Sequence, residues 1–239
     1  MKLSLIIPAY NEEKKIEKDI LLADKFFTAN RIEGEIIVVD DGSSDATYSK
    51  AEVLKGKVDC WLKVLRNETN LGKGSAVKKG MLEASGELFA YCDAGATVPY
   101  NNLLTGIKLL EKGTCEIAHG SRMLPDSVIK ISQAKVRKLS SAVIRLLVVK
   151  LLDVPNYLTD TQCGFKIYNK AAAEKIFLKL KTNGFMFEVE NILRANKSRF
   201  RIKEFPIEWS CDRDSRITLL KTPWKVLSEI VRIKLMKID

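Results

Sequence analysis

Asp93 leaves an apolar run, Glu87–Cys92, and is followed by Ala94, Gly95, Ala96 and Thr97 before Pro99. A carboxylate at such a point suits a hard cation. Mg²⁺ and Mn²⁺ take oxygen ligands, often one or two carboxylates completed by phosphates and water. A second carboxylate two residues on would make a paired site, but position 95 is glycine. Other polar residues recur where apolar runs end: Pro8-Ala9-Tyr10-Asn11-Glu12, Asp40-Asp41-Gly42, Arg66-Asn67 with Gly72, Lys73 and Gly74 beyond, and Ser121-Arg122. One such cluster is what any turn carries, but five at successive run ends favour a ligand site, with or without a metal at Asp93.

The elements that must position these residues follow from periodicity. Leu3–Ile7, Glu35–Val39, Trp61–Arg66, Glu87–Cys92 and Glu116–Gly120 are short buried-strand patterns. Helical spacing fills the gaps, from Glu12 to about Ala29, Ser44 to Leu54, Gly74 to Ala84 and Asn101 to Lys112. Strands alternating with helices predict βαβ units and a mostly parallel sheet, with ligands at the carboxyl ends of the strands. In the second half, Ile129 to Leu152 reads as one long basic and apolar helix. Residues 158–177, LTDTQCGFKIYNKAAAEKIF, read as loop, strand and helix. FMFEVENILRANKS reads as a helix, RIKEFPIEW as a strand, and TPWKVLSEIVRIKLMKI as a basic amphipathic helix.

The chain has 239 residues and a net charge of +10. A domain of that length buries roughly three quarters of its unfolded surface and needs no covalent staples. The positive balance favours anionic partners such as nucleotides, phosphorylated lipid or an acidic membrane face. Five cysteines without a CxxC pair indicate neither a disulfide frame nor a zinc site, and a reducing cytosolic setting fits. The single histidine, His119, excludes multi-histidine metal sites and most histidine-based triads. The first apolar run is too short for a signal peptide, and no stretch reaches the ~18 apolar residues of a membrane span. LGKGSA matches neither a Walker A loop nor a dinucleotide fingerprint.

Four pieces in order carry a resemblance: SLIIPAYNEEKKI (4–16), EIIVVDDGSSDAT (35–47), RNETNLGKGSAVKKGMLEASGE (66–87) with DAGATVP (93–99), and GSR (120–122) with DTQCGFKIY (160–168). Together they resemble a family 2 glycosyltransferase of the GT-A fold. The likeness is greatest to the polyprenyl-phosphate sugar transferases, and within them to the dolichyl-phosphate β-glucosyltransferase branch. It covers about residues 1–235. It implies an α/β fold with a Rossmann-like, mostly parallel central sheet flanked by helices and C-terminal amphipathic helices. The expected organisation is a single domain over 1–239, with a nucleotide-sugar half (1–122) and an acceptor half (123–239).

The resemblance also implies roles. Pro8, Tyr10, Glu12, Asp41, Asn70, Gly72, Lys73 and Asp93 correspond to donor-binding positions. By its chemistry Asp41 can accept from a base N–H or ribose hydroxyls, or cap a helix over Ser43–Ser44. The glycines near Lys73 would let backbone approach the ligand, and Lys73 would meet phosphate. Asp93 matches the first aspartate of an Asp-x-Asp metal motif and Gly95 takes the place of the second. Three outcomes stay open: a cation held by Asp93, diphosphate and water; a cation role shared with Lys73 and Arg122; or loss of activity. Arg122, Arg137 and Ser141 fit acceptor-phosphate positions, and arginine's fork suits phosphate oxygens. Asp160 falls near the sugar and the acceptor, in a positioning role, or else it only staples its loop, and Gln162 falls where it would touch the sugar or the metal.

The expected reaction is inverting transfer of a hexose, glucose before mannose, from UDP-glucose or GDP-mannose to a polyprenyl phosphate, with Mg²⁺ or Mn²⁺. Asp93, Asp160 and Arg122 are the expected catalytic set. An already ionised lipid phosphate needs no base. The rivals are a transferase with a hydroxyl acceptor, in which Asp160 would be the base, and a degenerate protein that only binds nucleotide or lipid phosphate. The basic stretches Lys130–Lys150 and Trp224–Lys237 have the composition of helices lying in a membrane interface, or else they pack on the sheet or a partner. The expected location is the cytoplasmic face of a membrane, peripheral or through an anchoring partner, with no nucleic acid bound.

Overall fold

A computed structural model of the chain describes residues 2–131, 144–211 and 222–238. Its first strand, β1 (Lys2–Ala9), is buried from Leu3 to Ala9, and β2 (Glu33–Asp40) from Glu35 to Asp40. Strands covered by helices on both faces read as continuous apolar runs rather than alternating ones. The remaining elements of the first half are α1 (Ile16–Asn30), α2 (Thr47–Val53), β3 (Trp61–Arg66), α3 (Lys73–Leu82), β4 (Leu88–Cys92), α4 (Leu103–Glu111) and β5 (Ile117–Ser121). The second half supplies β6 (Val128–Ile131), a helix α5 over 144–151, β7 (Phe165–Asn169), α6 (Lys170–Lys179), α7 (Phe187–Lys197), β8 (Ile202–Pro206), β9 (Glu208–Ser210) and α8 (Thr222–Leu235).

Seven strands form one sheet in the order β3-β2-β1-β4-β7-β5-β8. All neighbours are parallel except β7, which runs antiparallel to both β4 and β5. Because β7 sits between β4 and β5, the two halves of the chain share one sheet. Leu3, Leu5 and Ile7 face a core completed from α1, α2 and α4. Ile6, Ile37, Val39, Phe89 and Tyr91 face a second core completed from α3, α6, α7 and α8.

Three expectations change. The first helix begins at Ile16 rather than Glu12, since the preceding residues are tied to a neighbouring loop. Val128–Ile131 is not the start of a helix but a strand, paired in parallel with β9. Its β-branched residues suit a pleat, and short apolar runs do not separate helix from strand by periodicity. Part of the expected long helix is present as α5; residues 132–143 lie outside the described residues. The amphipathic C-terminal helix forms, but Val226, Ile230 and Ile233 are buried in the second core, so this apolar face packs on the protein. Leu227, Val231 and Leu235 remain exposed on α8.

Candidate active site

The chain passes from β1 outward to β2 and β3, then returns across β1 to β4. The carboxyl ends of β1 and β4 therefore border the crevice where connections diverge, which is where open α/β sheets bind ligands. Pro8 is buried within β1 and Tyr10 is exposed just beyond it. The segment after β1 is stapled to the loop after β2. Asn11 N donates to Ser43 Oγ (2.7 Å), Glu12 N to Thr47 Oγ1 (2.6 Å) and Glu13 N to Asp45 Oδ2 (3.2 Å).

Asp41 is buried and accepts from Asn67 Nδ2 (2.8 Å), Leu71 N (3.1 Å) and Gly72 N (2.8 Å). It clamps the loop before α3, and the local turn at Ser43 is served by Asp40, which also pairs with Arg66. Asp41 is thus a loop clamp, with both oxygens engaged by the protein, rather than a Ser43–Ser44 cap. The glycines beside Lys73 also serve packing. A Cβ on Gly72 would lie 2.5 Å from the Asn183 carbonyl, and one on Gly74 2.5 Å from that of Thr182. They admit close packing of the α3 N-terminus on residues 182–184. Asn70 is exposed on that loop.

Lys73 and Asp93 meet. Lys73 Nζ lies 2.6 Å from Asp93 Oδ1 and 3.3 Å from Glu188 Oε1. Burial works against the Lys73 charge, but the two carboxylates outweigh it and hold the ammonium above its usual range. Glu188, at the N-terminus of α7, is also bonded by the Lys166 ammonium and the Tyr91 hydroxyl. Lys166 is fully buried on β7, and its ammonium also donates to the Cys163 carbonyl (2.8 Å). Burial first, and the Glu188 charge second, push the Tyr91 hydroxyl far up, so it stays protonated and donates. The Asp93 backbone is held by N–H donation to the Gly164 carbonyl (3.0 Å).

Among the described residues no three His, Cys, Asp or Glu side chains converge into a metal cluster. Asp93 Oδ1 is nonetheless sealed from water and lacks an aligned hydrogen bond; its counter-charge is Lys73. The side chain as a whole is 41% exposed, so its other oxygen fits a cation held through one carboxylate, with phosphate oxygens and water filling the shell. A cation centre made of protein ligands alone does not fit.

Gly95 has φ +93°, a conformation that disfavours any residue with a side chain. The loop is therefore built for glycine and is not an Asp-x-Asp loop with one side chain deleted. Its N–H donates to Asp19 Oδ2 (2.5 Å), a buried carboxylate on α1. Burial, opposed by the Gly95 hydrogen bond, lifts the Asp19 carboxyl to about 7. Thr97 accepts from Ser210 N (2.8 Å), joining this loop to β9.

Arg122 and Asp160 form one unit. Arg122 Nε and Nη2 donate to the two Asp160 oxygens at 2.6 and 2.8 Å, and Arg122 N adds a third bond at 3.1 Å. Burial raises the Asp160 carboxyl, but the Arg122 hydrogen bonds and charge outweigh it and hold it below the aspartate range. The guanidinium stacks 5.4 Å from the Trp209 ring centroid. Glu204 accepts from Thr159 N and Asp160 N, both at 2.8 Å, and fixes the loop. Gln162 is half-buried, and its N–H donates to Asp160 Oδ1 (3.3 Å). Arg137 and Ser141 lie outside the described residues.

The sequence reading passed over Glu188, Lys166, Asp19 and Trp209. A lysine inside the apolar strand FKIYN was the available signal, because a buried lysine needs a partner. Nothing local marked Asp19, which fits an ordinary solvated helix face by spacing.

The family model described as "Glycosyl transferase family 2" matches residues 4–177. The chain is 28% identical over 236 residues to glycosyltransferase AglD of Haloferax volcanii, covering 97% of this chain and 37% of that protein. It is 32% identical over 218 residues to dolichyl-phosphate beta-glucosyltransferase ALG5D of Trichomonas vaginalis, covering 87% of this chain and 65% of that one. The chain thus spans between about a third and two thirds of these relatives' length. Its fold matches glucosyl-3-phosphoglycerate synthase from Mycobacterium tuberculosis, solved with Mn²⁺, UDP-glucose and phosphoglyceric acid. The TM-score is 0.71 at 18% identity, over 98% of this chain and 79% of that one.

Proposed function

The chain belongs to glycosyl transferase family 2, and from that premise we propose that it transfers a hexose, glucose first and mannose second, from a nucleotide sugar to a polyprenyl phosphate of the dolichyl type. One observation carries the reading. Lys73 and Asp93 meet at 2.6 Å at the β1/β4 crevice, under the loop that brings Asp160 to Arg122. The relatives named as dolichyl-phosphate glucosyltransferases support the lipid acceptor and glucose, and the UDP-glucose complex of the structural neighbour supports UDP as the carrier.

In this reading Tyr10 and the stapled 11–13 segment border the base, and Asp41 shapes the loop that carries Lys73. Asp93 would hold Mg²⁺ or Mn²⁺, which supplies positive charge to the departing diphosphate. Lys73 meets the diphosphate from the protein side. Arg122, aimed by Asp160 and Trp209, presents its remaining donors to the acceptor phosphate, a role that the sequence resemblance also gives to Arg137 and Ser141; Gln162 contacts the sugar. An ionised lipid phosphate attacks C1 in line, the bond to the diphosphate breaks, and the anomeric centre inverts. Holding two anions in register supplies much of the rate. A hydroxyl acceptor would need Asp160 as base. Its carboxyl is depressed and bidentate to Arg122, which opposes that role.

Among the described residues no helix is long and apolar enough to cross a membrane. The exposed Leu227, Val231 and Leu235 lie on α8 near Arg232 and Lys234, a surface suited to peripheral contact with an acidic membrane face, here taken as cytoplasmic, or with an anchoring partner. Residues 1–122 then serve the donor and 123–239 the acceptor. The test is purified protein with a short polyprenyl phosphate, labelled UDP-glucose or GDP-mannose, and Mg²⁺ or Mn²⁺. Labelled lipid from UDP-glucose is expected; none from either donor overturns the proposal.

A further inference from the structure

Lys73 stands between two carboxylates, Asp93 and Glu188, and only Asp93 faces the crevice. Asp93 is 41% exposed through its side chain, whereas Glu188 is 2% exposed and held from behind by Lys166 and Tyr91. Glu188 also lies in the first turn of α7, whose backbone N–H groups favour a negative charge. The four charged groups balance, two ammonium groups against two carboxylates. Lys166, fully buried and paired with Glu188, cannot move without leaving a bare charge. Glu188 is therefore fixed, and Lys73 is tethered to a fixed point while Asp93 can turn toward solvent.

We propose that Glu188 is a positioning residue for donor binding: it retains Lys73, so that the Asp93 carboxylate is released to a divalent cation bound with a nucleoside diphosphate. The inference rests on the functional reading above and deepens it. Without Glu188 the ammonium has one carboxylate left, Asp93, and becomes a resident competitor of the cation there. With Glu188 the ammonium keeps a counter-charge when Asp93 turns away, and stays beside the diphosphate. Cation–π contact of Lys73 with Phe187, 5.5 Å to the ring centroid, marks the same side of the crevice as its resting place.

The experiment measures UDP affinity by calorimetry with and without Mn²⁺, the ratio being the cation response. Glu188→Gln alone leaves Lys166 buried and unpaired, so the working variant is Lys166→Met/Glu188→Gln, which removes both buried charges. Its cation response should fall about tenfold, in line with losses when a metal ligand's supporting partner is removed. Adding Lys73→Met to that variant should restore the response, although UDP binds more weakly overall, because the competitor at Asp93 is gone. Glu188→Asp, which keeps the charge, should retain most of the response and covers the case in which the double variant does not fold. A merely structural Glu188 would not yield rescue by Lys73→Met. An unchanged response in the double variant, no rescue in the triple, or a wild type whose UDP binding ignores Mn²⁺ overturns the inference. Glucose transfer by a wild type without a cation response leaves the functional reading standing and removes only this inference. The reverse pattern, a rescued response with no transfer to lipid, removes only the functional reading.

Discussion

Gly164→Ala probes the site without touching a charged group. A Cβ at Gly164 would fall 2.2 and 2.3 Å from the two Asp93 carboxylate oxygens and 2.4 Å from Cγ, where contacts below 3.0 Å essentially do not occur. The carboxylate must move by about 1 Å, which breaks the 2.6 Å contact with Lys73. The stability cost should be small, because the side chain is partly exposed and can swing outward. Overpacking costs about 1–3 kcal/mol, and the low end applies here. In a chain of this length about 1 kcal/mol lowers Tm by roughly 2–4 °C. Activity should suffer far more, since a misplacement of about 1 Å can cost on the order of 10²-fold. The assay pairs thermal melts with initial rates of glucose transfer to polyprenyl phosphate. In an Asp93→Ala background the added methyl should have almost no further effect on rate. Wild-type rates in Gly164→Ala, or full additivity with Asp93→Ala, would refute the placement of Asp93 at the reacting centre.

Asp160→Asn should destabilise the chain by roughly 3 kcal/mol at neutral pH, because it strips the counter-charge from a mostly buried arginine. The folded Asp160 carboxyl is depressed, so its contribution is complete above the ordinary value of 3.8 and is lost as the pH falls through the lower folded value. Urea titrations from pH 3 to 7 should show the penalty shrinking on the acid side; a constant penalty counts against the pair. Asp19 has the opposite sign. Between 3.8 and about 7 the unfolded chain ionises this group while the folded chain resists, so wild-type stability declines across that interval. Asp19→Asn should therefore gain stability relative to wild type from pH 4 to pH 7, by no more than about 4 kcal/mol. A pH-independent difference would sink the assignment of a raised carboxyl.

The alternation of strands and helices, the strand ends bearing Asp41, Asp93 and Arg122, and the glycine-flanked Lys73 at the start of α3 are legible locally. They depend on short-range rules: buried strands show as apolar runs, and polar residues gather where the chain turns. Local sequence is silent where a residue's meaning lies in a distant partner. Asp41 looked like a ligand contact or a cap, and only folding brought Asn67, Leu71 and Gly72 to its oxygens. Gly72 and Gly74 looked like ligand approach, and only the packing of residues 182–184 showed why a side chain cannot stand there. Val128–Ile131 had no local signal choosing strand over helix until β9 offered a ladder. Glu188 lies 95 residues from Asp93 in sequence, and Lys73, between them in space, pairs with both. Periodicity carries information across a turn of helix or a pleat. The charge of a buried group is decided by whatever the sheet order sets against it, and strand order is a property of the whole fold.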